Sequence, residues 1–155
     1  MIATPATAEP AALDAFAANC LSPYLTAETA AARIGKTGAR HDFYDLAPFS
    51  DVAPSPGANV TPGTDRRCEV SLDGDLGTEA AQTATQALAA EGITVEAPLP
   101  ATHAALPGTT LLAARALNPA RVAVVHTGTR PGPNGTETFL SVERLTPDAS
   151  REVLE

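Results

Sequence analysis

Tryptophan is absent from this chain, aromatic residues make up only 4% of its 155 positions, and a single lysine, Lys36, stands against nine arginines. With so few rings, the interior has to be assembled from small and branched side chains, each of which buries less area than a phenylalanine would. Thirty-two alanines supply much of that material. The arginine excess, beside abundant Ala, Gly and Pro, follows the codon bias of a GC-rich genome rather than any function. At this length the chain suits one domain with a real core and is short for two.

Other absences narrow the function. No apolar run approaches the ~18 residues needed to span a bilayer. Residues 1–7 lack the basic and apolar regions of a secretory signal. The expected location is therefore the cytoplasm, with no membrane partner. A formal charge of −8 opposes nucleic-acid binding, which needs Lys and Arg concentrated on one face. Phosphate-loop glycines are missing too: Gly128-Thr129-Arg130-Pro131-Gly132 lacks the spacing and the following helix, and no cofactor is expected. Asn134-Gly135-Thr136 fits a glycosylation pattern, but a tight turn explains Asn-Gly.

What is present is an ordered pattern with one long interruption. Leu13, Phe16, Ala17, Cys20 and Leu21 share one helical face, and Pro23 ends that helix. A second helix is expected from Thr26 as N-cap, with Glu28 in its first turn and a stop at Gly35. Residues 40–46 read as a strand. Cys68, Val70 and Leu72 alternate with Glu69, Ser71 and Asp73, the mark of a strand with one wet face. Residues 78–90, closing at Gly92, form the clearest helix. Ile93 and Val95 suggest a short strand, followed by a Pro-rich crossing over 97–108. Residues 110–117, 121–129 and 136–145 then form a C-terminal three-stranded meander, with Asn118-Pro119-Ala120 and residues 131–135 as its turns. The expected fold class is α+β: an antiparallel sheet of about five strands with helices packed on one face. Residues 1–10 are expected as a flexible tail, 11–145 as a single domain and 146–155 as a C-terminal tail.

The interruption, residues 47–67, carries four prolines and two glycines before Asp65-Arg66-Arg67-Cys68. Loops this long without periodicity are commonly binding segments or disordered. Asp65, Arg66 and Arg67 are the candidate binding residues, because two adjacent guanidinium groups can hold a carboxylate or phosphate bidentately. The alternative is that Arg66 and Arg67 tie the loop to acids such as Asp42, Asp45 or Asp51. Charge is also divided along the chain. Residues 65–100 are acidic, and residues 110–145 carry Arg115, Arg121, Arg130 and Arg144; internal complementarity and a basic sheet face both fit.

Cys20 and Cys68 both face the expected core, either as two buried thiols or as a disulfide, the second being favoured if the protein is exported. Zinc-type paired spacings are missing, so no metal is expected with His41 or His126. Cys68 with His126 or His41 as base would make a small enzyme. However, His126 shares a strand face with Val122 and Val124, which suits a structural role. His41, Asp42 and Asp45 read as edge polarity, since His41 and Asp42 project to opposite faces of a strand. His103, in the Pro-rich crossing, is expected to be exposed.

Asp42-Phe43-Tyr44-Asp45-Leu46, residues 61–70 and Val122-Ala123-Val124-Val125-His126 resemble segments of small uncharacterised proteins from GC-rich alphaproteobacterial genomes. The resemblance covers most of the ordered length and implies a bacterial source, with no activity, cofactor or functional residue. The functional expectation is a non-catalytic accessory or binding protein that presents residues 47–67 and Arg66-Arg67 to a protein or small anionic ligand. Its alternatives are the small enzyme and the exported, disulfide-bonded protein.

Overall fold

The strand expected from Cys68 is longer than its alternation suggests. In the computed structural model, which describes residues 8–22, 25–48, 50, 52–54 and 59–155, β2 runs Thr64–Asp73 and takes in Asp65, Arg66 and Arg67. It lies between β1 (Arg40–Asp45) and β6 (Gly135–Leu145) in a six-stranded antiparallel sheet of order β1-β2-β6-β5-β4-β3. Here β3 is Glu96–Ala97, β4 Thr109–Asn118 and β5 Arg121–Gly132. β4, β5 and β6 form the expected meander, and the fold is α+β. The sixth strand is the two-residue β3, displaced from Ile93 and Val95 to the register Glu96↔Arg115 and Ala97↔Ala114.

Three helices cover one sheet face. α1 (Ala8–Asn19) begins inside the segment expected as a tail and buries Ala12, Ala15 and Phe16. α2 (Ala27–Lys36) is capped by the Thr26 side chain, which accepts from the Thr29 amide. Gly38, at φ +77°, turns the chain after it. α3 is Gly77–Ala90, with Ala80, Ala84, Ala87 and Leu88 against the sheet. Small alanine faces let these helices pack onto Cys68, Val70, Leu72, Ala123, Val125, Leu140 and Val142 as one core. None of the described helices is long and apolar enough to cross a membrane.

The opposite face is closed by a helix the sequence reading omits. Residues 146–155, expected as a tail, form α4 (Pro147–Leu154), capped by Thr146 accepting from the Ala149 amide. Ala149 and Val153 pack on Val122, Val124 and Leu145. The Ser150 hydroxyl, fully buried, accepts from the Val122 amide at 3.1 Å. Thr146-Pro147-Asp148 is a legible helix start, with capping hydroxyl, N1 proline and first-turn acid.

Cys20, just past α1, is joined to Cys68 of β2 by a disulfide across a sequence separation of 48. The buried-thiol alternative is thereby replaced, and no cysteine among the described residues is free. The bond fixes the first helix to a central strand, closing a loop that contains α2, β1 and the long interruption. Loop-closure entropy for that span corresponds to about 4 kcal/mol. The double variant Cys20→Ala with Cys68→Ala is expected to lose stability of that order in urea titration. A loss below ~1 kcal/mol would show that the bond contributes little to the fold.

Candidate functional site

Arg66 and Arg67 lie side by side in a strand, so they leave the sheet on opposite faces. A shared grip on one ligand, as the sequence reading expects, is excluded by that geometry. Arg67 points to the α4 face. Its guanidinium donates to Asp42 Oδ2 at 3.0 Å and to Glu143 Oε2 at 3.1 Å, and also to Thr61 Oγ1. It stacks 5.1 Å above the Tyr44 ring, and a further donation reaches the Asn59 carbonyl at 3.3 Å. Thus Arg67 does tie the long loop to Asp42.

The described parts of that loop are stitched elsewhere as well. The Asp45 amide donates to the Val52 carbonyl, and the Thr146 amide to that of Gly63, both at 2.8 Å. The Ser50 hydroxyl donates to Glu28 at 3.1 Å. Residues 49, 51 and 55–58, including the Asp51 named above as a partner, lie outside the described residues.

Arg66 points to the helix face and is far less well paired. Among the described residues its nearest carboxylate is Asp45 at 3.7 Å, and its one hydrogen bond is to the Leu25 carbonyl at 3.5 Å. Its guanidinium lies 5.4 Å over the Phe43 ring, and the side chain is 18% exposed. Burial holds its pKa below the usual guanidinium value, and the attraction of Asp45 does not offset that desolvation.

Two further arginines converge on the same end of the sheet. The register of β2 on β6 shifts between Thr64 and Arg66, an irregularity of the kind that re-aims a side chain. Asp65 there meets Arg121 at 2.9 Å and Arg144 at 2.8 Å. Arg66, Arg121 and Arg144 line a cleft of about 400 Å³ between the C-terminal ends of α1 and α3. The rest of its wall combines Leu21, Leu88, Ile93, Leu117 and the Cys20–Cys68 bridge with the polar Ser22, Glu91 and Asn118. Asp45 and Asp65 sit behind the arginines and do not line it.

The α4 face carries a second, self-contained network. Arg130 spans Glu137 at 2.7 Å and Glu69 at 2.8 Å, and Arg40 spans Glu137 and Asp73. His103, expected to be exposed, is buried in its side chain, with Nε2 3.2 Å from Glu143 Oε1. Burial raises the pKa of Glu69, with Arg130 opposing. Burial also disfavours the Glu143 anion, but hydrogen bonds from His103 and Thr61 and the charge of Arg67 outweigh it and bring Glu143 to about 2. His126 stands edge-on to Phe139 at 5.0 Å, with Nε2 2.8 Å from Thr109 Oγ1. Burial, then the nearby His103, keeps it below its usual pKa.

The Cys68 sulfur is consumed in the disulfide and faces the helix layer, while His126 faces the other way, so the structure does not bring them together. His41 is exposed, its Nδ1 3.2 Å from the Ala39 carbonyl. No group of three or more His, Cys, Asp and Glu residues suited to a metal ion occurs among the described residues. Internal complementarity accounts for much of the divided charge: Arg121, Arg130 and Arg144 of the basic segment pair with Asp65 and Glu69 of β2. Arg121 and Arg144 are the site residues that sequence reasoning missed. Their signal, the basic balance of residues 110–145, gave the sign of the surface but not its location. Comparison with protein-family models, with curated proteins and with solved structures finds no match to this chain.

A carboxyl held at about 2 in the fold, against 4.5 ordinarily, adds stability that is present above pH 4.5 and drains away as pH falls toward 2. For Glu143 the full difference is on the order of 3 kcal/mol before solvent screening. Glu143→Gln should therefore flatten the acid limb of a stability–pH curve between pH 4.5 and 2 relative to the parent chain. Parallel curves for the two proteins would remove Glu143 from the account of acid sensitivity.

Proposed function

We propose that the protein is a non-catalytic binding domain that takes an anionic ligand in the cleft formed by Arg66, Arg121 and Arg144. The observation that carries this reading is Arg66, a largely buried cation whose nearest described carboxylate stands at 3.7 Å. A desolvated guanidinium without a close counter-ion is costly, and a ligand carboxylate would relieve that cost with short, charge-assisted hydrogen bonds. The cleft falls within the size range of small-ligand sites and has the usual apolar wall with a few polar groups. Because Ser50, Val52, Asn59, Thr61 and Gly63 are bonded to the body of the domain, the reading moves the contact from the loop to the Arg66 face of β2.

Titration of the labelled protein with sodium acetate, followed by arginine Nε–H resonances, tests this. Saturable shifts confined to Arg66, Arg121 and Arg144 are expected, and they should vanish in Arg66→Gln. Equal shifts at the exposed Arg33 and Arg151 would indicate unspecific ion effects and defeat the reading.

The disulfide favours a second reading on compartment. Bonds of this kind persist in oxidising surroundings and are rare where thiol reductants operate, so Cys20–Cys68 supports an exported protein over the cytoplasmic one. Alkylation of the protein taken from its native host, before any reduction, is expected to leave both cysteines unmodified. Full modification of both would return the protein to a reducing compartment.

A further inference from the structure

We propose that the ligand of the Arg66 cleft is an amphipathic monoanion: a single carboxylate carrying an unbranched or aryl apolar body. This rests on the reading of the cleft as an anion site and adds the class of anion. The first argument is charge. Arg66, Arg121 and Arg144 face the cleft with Asp45 and Asp65 behind them, Glu91 lies on the rim and Glu28 also acts on Arg66, so the surroundings hold no cationic surplus for a polyanion. A single carboxylate, set against the guanidinium of Arg66, asks least of that balance. A second negative charge would have no cation left to meet, and it would approach the exposed Glu91 on the rim.

The second argument is the helix ends. Phosphate and sulfate sites commonly draw on the free amides and positive dipole of a helix N-terminus. Here the flanking helices present their C-terminal ends, at Asn19 and Ala90. Those ends carry partial negative charge, which disfavours a polyanion. The guanidinium fork is then the main donor set, and it fits a carboxylate's two oxygens.

The third argument is the wall away from the arginines. Leu21, Leu88, Ile93 and Leu117 line the cleft together with the disulfide, and Leu117 is left 40% exposed. An inorganic anion would leave that apolar wall wet, whereas an alkyl or aryl body removes it from water. Each methylene so covered strengthens binding by up to about fourfold, the equivalent of ~0.8 kcal/mol.

Calorimetric and NMR titrations of the full chain with butyrate, hexanoate, octanoate, octan-1-ol, octylamine and inorganic phosphate test the class. Affinity is expected to rise from butyrate to octanoate, with amide shifts at Cys68, Ala123 and Val142. Octanoate should exceed both octan-1-ol and octylamine at least tenfold, and Arg66→Gln should remove that advantage. If butyrate and phosphate bind as tightly as octanoate, the anion site stands and the amphipathic ligand is overturned. If octan-1-ol binds as well as octanoate, the charge argument falls and the proposed function falls with it. No binding by any probe overturns both. Should Arg66→Gln fail to fold, Glu91→Gln, on the exposed rim, serves in its place. It is expected to tighten octanoate two- to threefold at low salt and to leave octan-1-ol unchanged, and equal effects on the two probes would count against the carboxylate.

Discussion

β2 is a charged strand in the interior of a sheet, and its charges have to be matched on both faces. It hydrogen-bonds to β1 on one side and β6 on the other, so Asp65, Arg66, Arg67 and Glu69 cannot turn into water as they would from an edge. Each must find a partner from another element, because an unpaired buried charge costs far more than a paired one. That requirement explains where the arginines of the C-terminal meander go. Arg130 meets Glu69, while Arg121 and Arg144 meet Asp65. The paired charges help to fix the register of β2 against β6, since a one-residue slip would exchange the two faces.

The disulfide acts on the same strand from the helix side. Cys68 stands between Arg66 and Val70 on the buried face, and its bond to Cys20 holds the end of α1 over the sheet. With a core built mostly of alanine and valine, each helix contributes modest apolar area, and a covalent tie compensates in part for the missing aromatic rings. The same tie sets the wall of the Arg66 cleft. The geometry of the cleft and the stability of the fold therefore share one bond.

Much of the scaffold was legible in local sequence. Thr26 as cap, the alternation of 68–73, the alanine face of the third helix and the two turns of the meander follow from chemistry within a few residues. Three features were not, or were overlooked. Thr64-Asp65-Arg66-Arg67 has no apolar alternation and so reads as loop; pairing on both sides makes it strand, as tertiary context often overrides propensity. The two-residue β3 is defined by its partner β4 and carries no pattern of its own. α4 did announce itself through Thr146-Pro147-Asp148, but eight residues of mixed polarity after a strand resemble a tail until Val122 and Leu145 are known to need cover. The cleft was the least legible part, because Arg66, Arg121 and Arg144 are far apart in the chain and converge only through sheet order.

Arg66 and Arg67 differ by one position and by almost everything else. Arg67 is saturated: two carboxylates, a threonine hydroxyl, a loop carbonyl and a tyrosine ring surround it. Its work is structural, and removing it would leave Asp42 and Glu143 without their shared cation. Among the described residues, Arg66 has a phenylalanine ring, one long ion pair and one long hydrogen bond. Stability alone gives no reason to desolvate a cation so incompletely, since an apolar side chain of similar volume beside Phe43 would avoid the cost altogether. Among the described residues, that incomplete pairing is what separates Arg66 from its neighbour. On that ground the proposed binding role is assigned to Arg66, the member with the fewer partners among the described residues.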